Sequence, residues 1–192
     1  VSESLNPETG TAQGATAVPG EGSVFVGWYD AKDTERENSL TDSMTYTPEK
    51  NSSSKRYQDG SYVALFRLKQ YVLHYDANAA DAVGTMEDQT FPHGEAYPLK
   101  ECAFRREGYR FVGWATGPAG EVKYEDQKNI KLDEKFPNLK DDNEGVILYA
   151  VWHEQSVTLG YEPNDAELGS VSSALETVVA VTGTAKGSTA QA

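Results

Sequence analysis

The sequence predicts an α+β fold that is mostly β, built from small tandem modules, each a mixed sheet with at most one short helix. Short segments rich in β-branched and aromatic residues alternate with Gly, Pro, Asn and Asp clusters, which is typical of strands and turns. The chain also repeats itself, which favours several small modules over one large domain. The tetrapeptide Phe-Val-Gly-Trp at positions 25–28 recurs 86 residues later at 111–114.

The same offset of 86 residues holds further along the chain. Residues 63–66 align with 149–152, and both are apolar runs that end in an aromatic residue. Residues 71–76 align with 157–162 without a gap. Because separate landmarks agree at one offset, we interpret the chain as a tandem repeat.

A second match joins the two ends of the chain. The run TGTAQGATA at 9–17 is similar to TGTAKGSTA at 182–190, an offset of 173 that is close to twice 86. The start and the end of the chain therefore belong to the same part of one repeat type. We expect a front segment that is the later part of a module without its opening strands (1–70), a middle segment that is a complete module (71–155) and a tail segment that opens a further module (156–192).

Strands are predicted where the apolar and aromatic runs lie. On the run 71–75, Tyr71, Leu73 and Tyr75 share one face, because successive side chains of a strand point to opposite sides. Each sheet therefore has an apolar face that another element must cover. The other predicted strands are 24–29, 62–66 and 146–152.

One short helix is predicted over residues 97–104. Pro98 suits the first helical position, where the missing N–H costs nothing. Leu99, Cys102 and Ala103 would then face the same side. A helix of that length is marginal alone and would depend on packing against the sheet.

Charge and cysteine content exclude several classes of protein. Seventeen Lys and Arg against thirty Asp and Glu give a net charge of -13, which disfavours nucleic acid and anionic membrane surfaces as partners. No apolar run approaches the roughly 20 residues of a membrane span, so no membrane insertion is expected. Cys102 is the single cysteine, so the chain forms no internal disulfide and no cysteine-based zinc site. This cysteine content suits an extracellular bacterial protein and a cytosolic protein equally.

The middle segment resembles the Listeria–Bacteroides repeat, also called the internalin B-repeat. The resemblance rests on the opening strand, a Gly94-Glu95 turn, the run REGYRFVGW at 106–114 and the closing LYAVW at 148–152. The front and tail segments resemble the divergent B-repeat more loosely, through the tetrapeptide at 25–28 and a closing Ala-Leu-Phe. The front segment departs from that pattern in an extended polar insertion at 50–60.

The resemblance implies a β-grasp-like module, similar to ubiquitin-like domains. Members of the family string such modules along large secreted or wall-attached bacterial proteins, which are often adhesins. The resemblance supplies no active site.

The aromatic strands carry one candidate ligand site. Trp28 and Trp114 could form a platform that stacks on a sugar, but core packing is favoured because large aromatic residues dominate small cores. Gly27 and Gly113, which precede them, are expected to mark a bulge or a close approach of another element.

Polar candidates are weaker. The histidines show no metal-binding spacing, and Cys102 is expected to be a small buried apolar residue. Paired acids could bind Ca2+, although no calcium-loop spacing supports it and solvated loops are the simpler interpretation. The residues concerned are His74, His93 and His153, and the pairs Glu125-Asp126, Asp133-Glu134 and Asp141-Asp142.

We therefore expect a non-enzymatic repeat segment of a bacterial cell-surface protein that acts as a stalk or spacer and as an adhesion scaffold, located outside the cell at the surface or wall. No catalytic, cofactor-binding or metal-binding residue and no cofactor is assigned, and ligand-binding residues are unknown. The alternative is that the middle segment itself binds a host protein or glycan. Unpaired strand edges also suggest that residues 156–192 complete residues 1–70, head to tail between copies or by folding back within one chain.

Overall fold

The computed structural model describes residues 3–137, 139 and 141–191. Every regular element in these residues is a strand. The front segment contains β1 (Ala15–Thr16), β2 (Ser23–Asp30), β3 (Ser39–Thr41), β4 (Thr45–Tyr46) and β5 (Tyr62–Leu68). Next come β6 (Gln70–Asp76), β7 (Gln89–Pro92), β8 (Ala96–Pro98), β9 (Tyr109–Ala115), β10 (Asn129–Lys131) and β11 (Gly145–Glu154). The tail contains β12 (Ser156–Gly160), β13 (Ser170–Val171), β14 (Leu175–Val179) and β15 (Ala190–Gln191).

The mostly β part of the predicted fold class is confirmed, but the helix predicted over 97–104 is wrong. Tyr97 precedes a proline, which disfavours helical backbone, and it lies in β8, which pairs with β10. The next amide, that of Leu99, donates to the carbonyl oxygen of Lys128 at 3.0 Å. Backbone partners that are distant in sequence therefore replace the helical hydrogen bonds.

The middle segment contains a four-stranded mixed sheet in the order β7-β6-β11-β9. β6 runs parallel to β11, and β9 runs antiparallel to β11 on its other side. The predicted apolar face of β6 is confirmed, since Tyr71, Leu73 and Tyr75 are 2%, 0% and 9% exposed. Leu148 and Ala150 of β11 are fully buried as well. The sheet thus has one buried apolar face, which forms the core of this part of the chain.

The front segment contains a three-stranded antiparallel sheet in the order β3-β2-β5. Its β2 and β5 are equivalent to β9 and β11, and both strand pairs carry the same bulge. The register shifts between Phe25 and Gly27 in the front sheet and between Phe111 and Gly113 in the middle sheet. Gly113 has a φ of 144°, and a Cβ there would lie 2.7 Å from the Tyr124 carbonyl oxygen. The prediction that these glycines mark a bulge or a close approach is confirmed.

The tail segment forms two small antiparallel pairs, β12–β14 and β13–β15. β12 and β14 pair antiparallel, with Thr158 opposite Thr177. They begin 86 residues after β6 and β7, which are also neighbours in their sheet, so the two strand pairs are equivalent in the repeat. No helix in the described part of the chain has the length and hydropathy required to span a membrane.

The chain forms two compact units. The first unit comprises residues 1–71, 91–95 and 131–144, and the second comprises residues 72–90, 96–130 and 145–192.

Candidate functional site

The two tryptophans suggested as a ligand platform are core residues. Trp28 is 7% exposed and Trp114 is 0% exposed, so neither presents a ring face to a ligand. Trp28 lies 6.0 Å from the Tyr46 ring and donates its indole N–H to the Met44 carbonyl oxygen at 3.1 Å. Trp114 lies 4.9 Å from the Tyr75 ring, and its indole N–H has no partner among the described residues. Both tryptophans are therefore packed in the core and do not form a ligand platform.

The three histidines lie apart, and each has its own partner. In the part of the chain that the structure describes, no three His, Cys, Asp or Glu side chains are grouped to hold a metal ion. The contacts are His74 Nδ1 with the Asp88 carboxylate (2.8 Å), His93 Nδ1 with the Tyr71 hydroxyl (3.0 Å) and His153 Nδ1–H donating to the Glu154 carbonyl oxygen (2.8 Å).

A carboxylate from each predicted acid pair accepts backbone hydrogen bonds. Asp126 accepts the Cys102 amide at 3.1 Å, and Asp133 accepts the Lys135 amide at 3.0 Å. Asp142 belongs to a larger arrangement that is described below. These carboxylates organise the backbone of their loops, which is a structural role.

The first feature that sequence reasoning missed lies where the front segment ends, inside the first unit. The Lys69 amide donates to the carbonyl oxygen of Gly22 at 2.8 Å. The Lys69 carbonyl oxygen accepts the His93 amide at 2.9 Å. We call Gly22, Lys69 and His93 the first junction. Its central residue is bonded backward to the front segment and forward to the middle segment.

The same arrangement recurs inside the second unit, where the middle segment ends. The Gln155 amide donates to the carbonyl oxygen of Gly108 at 2.8 Å, and the Ala180 amide donates to the carbonyl oxygen of Gln155 at 2.8 Å. We call Gly108, Gln155 and Ala180 the second junction. Gln155 and Gly108 lie 86 residues after their counterparts Lys69 and Gly22. The repeat therefore includes the connection between segments as well as the sheets.

In each junction the carbonyl oxygen that accepts the amide of the central residue belongs to a glycine, which we call the receiving side. Glycine is required there. Gly22 and Gly108 have φ values of 68° and 74°, in the left-handed region that L side chains rarely adopt. A Cβ on Gly22 would overlap the His93 ring, and a Cβ on Gly108 would overlap the Val181 side chain. The missing side chain thus lets the next segment approach the backbone.

A carboxylate reinforces the first junction. Asp142 accepts two hydrogen bonds from the Arg67 guanidinium, at 3.0 and 2.5 Å, and one from the Gln70 amide at 2.8 Å. The Asn143 amide donates to the Gln70 carbonyl oxygen at 2.6 Å. The hydrogen bond from Arg67 is the largest cause that holds the pKa of Asp142 below its ordinary value. The bidentate pair fixes orientation as well as distance.

A carboxylate also reinforces the second junction, but it comes from the preceding segment. Glu154 accepts the amides of Val181 and Thr182 at 2.7 and 2.6 Å, and the Thr182 hydroxyl at 2.9 Å. The amide of Thr182 is the largest cause that lowers the pKa of Glu154 below its ordinary value. The two junctions therefore share their backbone bonds and differ in their side-chain support.

The chemistry of the junctions is that of hydrogen bonding. Their hydrogen bonds join backbone groups, carboxylates, a guanidinium and a hydroxyl, and each carboxylate has its acceptor positions engaged by donors. The sequence signal that could have located them is the glycine three residues before Phe25 and before Phe111. The central residues give no such signal, since one is Lys69 and the other is Gln155.

Comparison with known proteins finds two repeat families, each matching a different part of the chain. Residues 71–136 match the Listeria-Bacteroides repeat domain, and residues 1–60 match the divergent InlB B-repeat domain. Both families are typical of surface proteins. Neither the curated proteins nor the solved structures contain a match to the chain. The two regions whose motifs predicted these resemblances are therefore similar to the two repeat families, residues 71–136 to the first and residues 1–60 to the second.

Proposed function

We propose that the chain is a non-enzymatic repeat segment of a bacterial cell-surface protein, where it acts as a stalk or spacer and as a scaffold for adhesion. Its place is outside the cell, at the surface or in the wall. The observation that carries the proposal is the recurrence of one backbone arrangement at both junctions, around Lys69 and around Gln155.

A spacer needs a fixed relation between consecutive repeats. A flexible linker would let each module reorient freely, as Gly- and Ser-rich linkers do. Here the linking residue has its N–H and its C=O bonded to opposite sides, which restricts its backbone torsions. Repeat proteins gain extended shapes by repeating one such nearest-neighbour contact. On this proposal the module boundaries lie near residues 70 and 155.

Net charge supports the same role. The chain carries -13, and the acidic excess is spread over the front, middle and tail segments. Like charge discourages one module from collapsing onto another and keeps an exposed protein soluble. Each module can then remain a separate step of the stalk.

We also infer a β-grasp-like fold for the middle segment. The support is its mixed sheet, in which β6 runs parallel to the central β11 and β9 runs antiparallel to it. In this inference the loop after β8 occupies the place of the helix, and Leu99 and Phe104 supply the apolar cover, since they are 2% and 8% exposed.

The location is tested on the bacterium that makes the protein. An antiserum raised against the purified chain would be used on cell fractions and on intact cells treated with protease. We expect the antigen in the wall or secreted fraction, and we expect its loss from intact cells after protease treatment. Antigen that stays in the cytoplasm and survives protease would overturn the proposal.

The spacer role is tested by binding. The purified chain would be applied to glycan and host-protein arrays, with a known adhesin domain as a positive control. A spacer gives no saturable binding. Saturable binding that Ala substitution of exposed Tyr97 abolishes would favour the alternative, in which the middle segment is itself the adhesive module.

A further inference from the structure

We propose that the parallel pairing of β6 with β11 is a mechanical clamp, which lets the middle segment carry tension along the chain without unfolding. We call the paired residues 72–76 and 145–149 the clamp. Resistance to tension is a function beyond the spacing of modules. It rests on the proposed stalk role only for the direction in which the tension acts.

The two strands of the clamp run in the same direction. Val72 of β6 lies beside Gly145 of β11, and Asp76 lies beside Tyr149, four residues further along both strands. Each residue between these limits keeps the same register, and all of them belong to the second compact unit. The clamp is therefore one continuous parallel ladder, whose backbone hydrogen bonds lie across the strands at even spacing.

The chain enters and leaves the clamp at opposite ends. It enters β6 from Gln70, on the side where Val72 lies beside Gly145. It leaves β11 at Glu154, beyond the other end of the ladder at Tyr149. Tension along the chain therefore pulls β6 backward and β11 forward on parallel lines. The ladder is loaded in shear, so that its hydrogen bonds share the load, whereas a ladder pulled open from one end breaks one bond at a time.

Side chains extend the clamp past the end of the ladder. The Trp152 indole N–H donates to the Ala77 carbonyl oxygen at 2.8 Å. The Asn78 side-chain amide donates to the Ala150 carbonyl oxygen at 3.1 Å. Both bonds join the residues that follow β6 to the later part of β11, so the same tension loads them together with the ladder.

The position of the clamp in the sheet shields it from water. Leu73 of β6 and Leu148 of β11 are 0% exposed, and Val146 of β11 is 5% exposed. Each of the two strands also has a neighbour on its other side, since the sheet order is β7-β6-β11-β9. Water is thus excluded from the core face of the ladder, and a hydrogen bond that breaks there leaves buried groups without a partner, which is costly.

The first test compares two directions of pull on single molecules of the full chain in a Cys102→Ser background. In both cases one handle is attached at Ser156→Cys, an exposed position just after β11. A second handle at Leu68→Cys, just before β6, shears the clamp. A second handle at Ala80→Cys, an exposed position after β6, pulls the same two strands apart from one end.

The clamp predicts a large difference between the two directions. Each unfolding event is assigned from the length of chain that it releases. We expect the force in shear to be at least about twofold higher than the force in the peeling direction, because forced unfolding reports the barrier that the loaded bonds create. Equal forces, or a lower force in shear, would overturn the proposal.

The second test removes one bond of the clamp. Trp152→Phe keeps an aromatic ring next to Phe111, whose ring lies 5.9 Å away, and loses the N–H that reaches Ala77. Its lifetime under a constant shear load should fall about fivefold, the factor expected for one hydrogen bond. Phe104→Leu, a core change outside the ladder, is the control and should lower stability in urea while leaving that lifetime near the parent value. A lifetime of Trp152→Phe equal to that of the parent would overturn the part assigned to Trp152.

These results separate the clamp from the stalk role. Equal forces in the two directions would overturn the clamp, even if the antiserum finds the protein at the cell surface. A protein found only in the cytoplasm would overturn the stalk role, and a high force in shear would then still support the clamp as a property of the module.

Discussion

The amide of Gln155 donates a 2.8 Å hydrogen bond to the carbonyl oxygen of Gly108, and this bond closes the second junction. Lys69 and Gly22 make the same bond at the same distance in the first junction. The link is a backbone contact, so it survives the change from Lys to Gln at its centre. The repeat of 86 residues thus includes this backbone hydrogen bond.

Glycine at the receiving side of each junction is the first point to test. Gly22→Ala should destabilise the first unit by about 1 to 3 kcal/mol more than Gly94→Ala, because an added Cβ overlaps the His93 ring. Gly94 is the control, since its φ of 70° carries the same backbone strain while a Cβ there meets nothing within 4 Å. Urea unfolding measures the difference. Equal losses at both positions would show that the contact with His93 contributes nothing.

The Arg67–Asp142 pair should make the first junction sensitive to acid. The pKa of Asp142 is lowered in the folded chain, so its contribution is present above the ordinary aspartate pKa of about 3.9 and is lost as pH falls through the folded value. The Arg67 side chain is 45% exposed, so the pair should contribute only about 1 kcal/mol at pH 7.

Asp142→Asn measures this contribution. The variant should unfold at lower urea than the parent at pH 7, and the gap should close towards pH 3. Asp59→Asn, at an exposed position, is the control and should shift neither midpoint. A gap that persists unchanged at pH 3 would show that the charge on Asp142 is not what stabilises the junction.

Glu154 should control the local order of the second junction. Glu154→Gln keeps the shape but loses the charge that accepts the Val181 and Thr182 amides, so both amides should exchange with deuterium faster. Because the pKa of Glu154 is lowered in the folded chain, the parent should keep this protection at neutral pH and lose it as pH falls through the folded value. Glu107→Gln is the control at an exposed position. Unchanged exchange in Glu154→Gln would refute the role.

Cys102 should react slowly. Burial raises the pKa of its thiol to about 11, so little thiolate is present near neutral pH. Alkylation at pH 7.5 should be at least about tenfold slower than that of a Ser53→Cys variant in a Cys102→Ser background, since Ser53 is exposed and an ordinary thiol has a pKa of about 8.5. The alkylation rate of Cys102 should still rise at pH 10. The sequence predicted a buried Cys102, and the structure makes it half-buried. Equal rates for the two thiols would contradict that half-buried position.

The strands and the bulge were predictable because their signals are local. Tyr71, Leu73 and Tyr75 alternate with other residues at the period of a strand, and all three are buried. The glycines at 27 and 113 are visible in the sequence, and the structure places another chain segment close to each of them. The same local reasoning failed for residues 97–104, because β8 pairs with β10 and the Leu99 amide bonds to the Lys128 carbonyl oxygen, both distant in sequence.

The junctions were not predictable because they depend on backbone groups. Lys69 and Gln155 differ in side-chain charge, and the bonds that they share in the two junctions are made by their N–H and C=O groups. Their partners lie far away in sequence, and His93 and Ala180 share no side-chain chemistry. Only the glycines leave a trace, at equal distance from the repeated Phe-Val-Gly-Trp motif.

Amide hydrogen exchange at Lys69 and Gln155 tests the central claim most directly, because each amide reports whether its junction is closed. The account predicts that both exchange at least about 100-fold more slowly than an unstructured chain, as amides inside the strands do. Exchange of either amide at the unstructured rate would contradict it. The segments would then be joined by a free linker, and the repeat would set no fixed step.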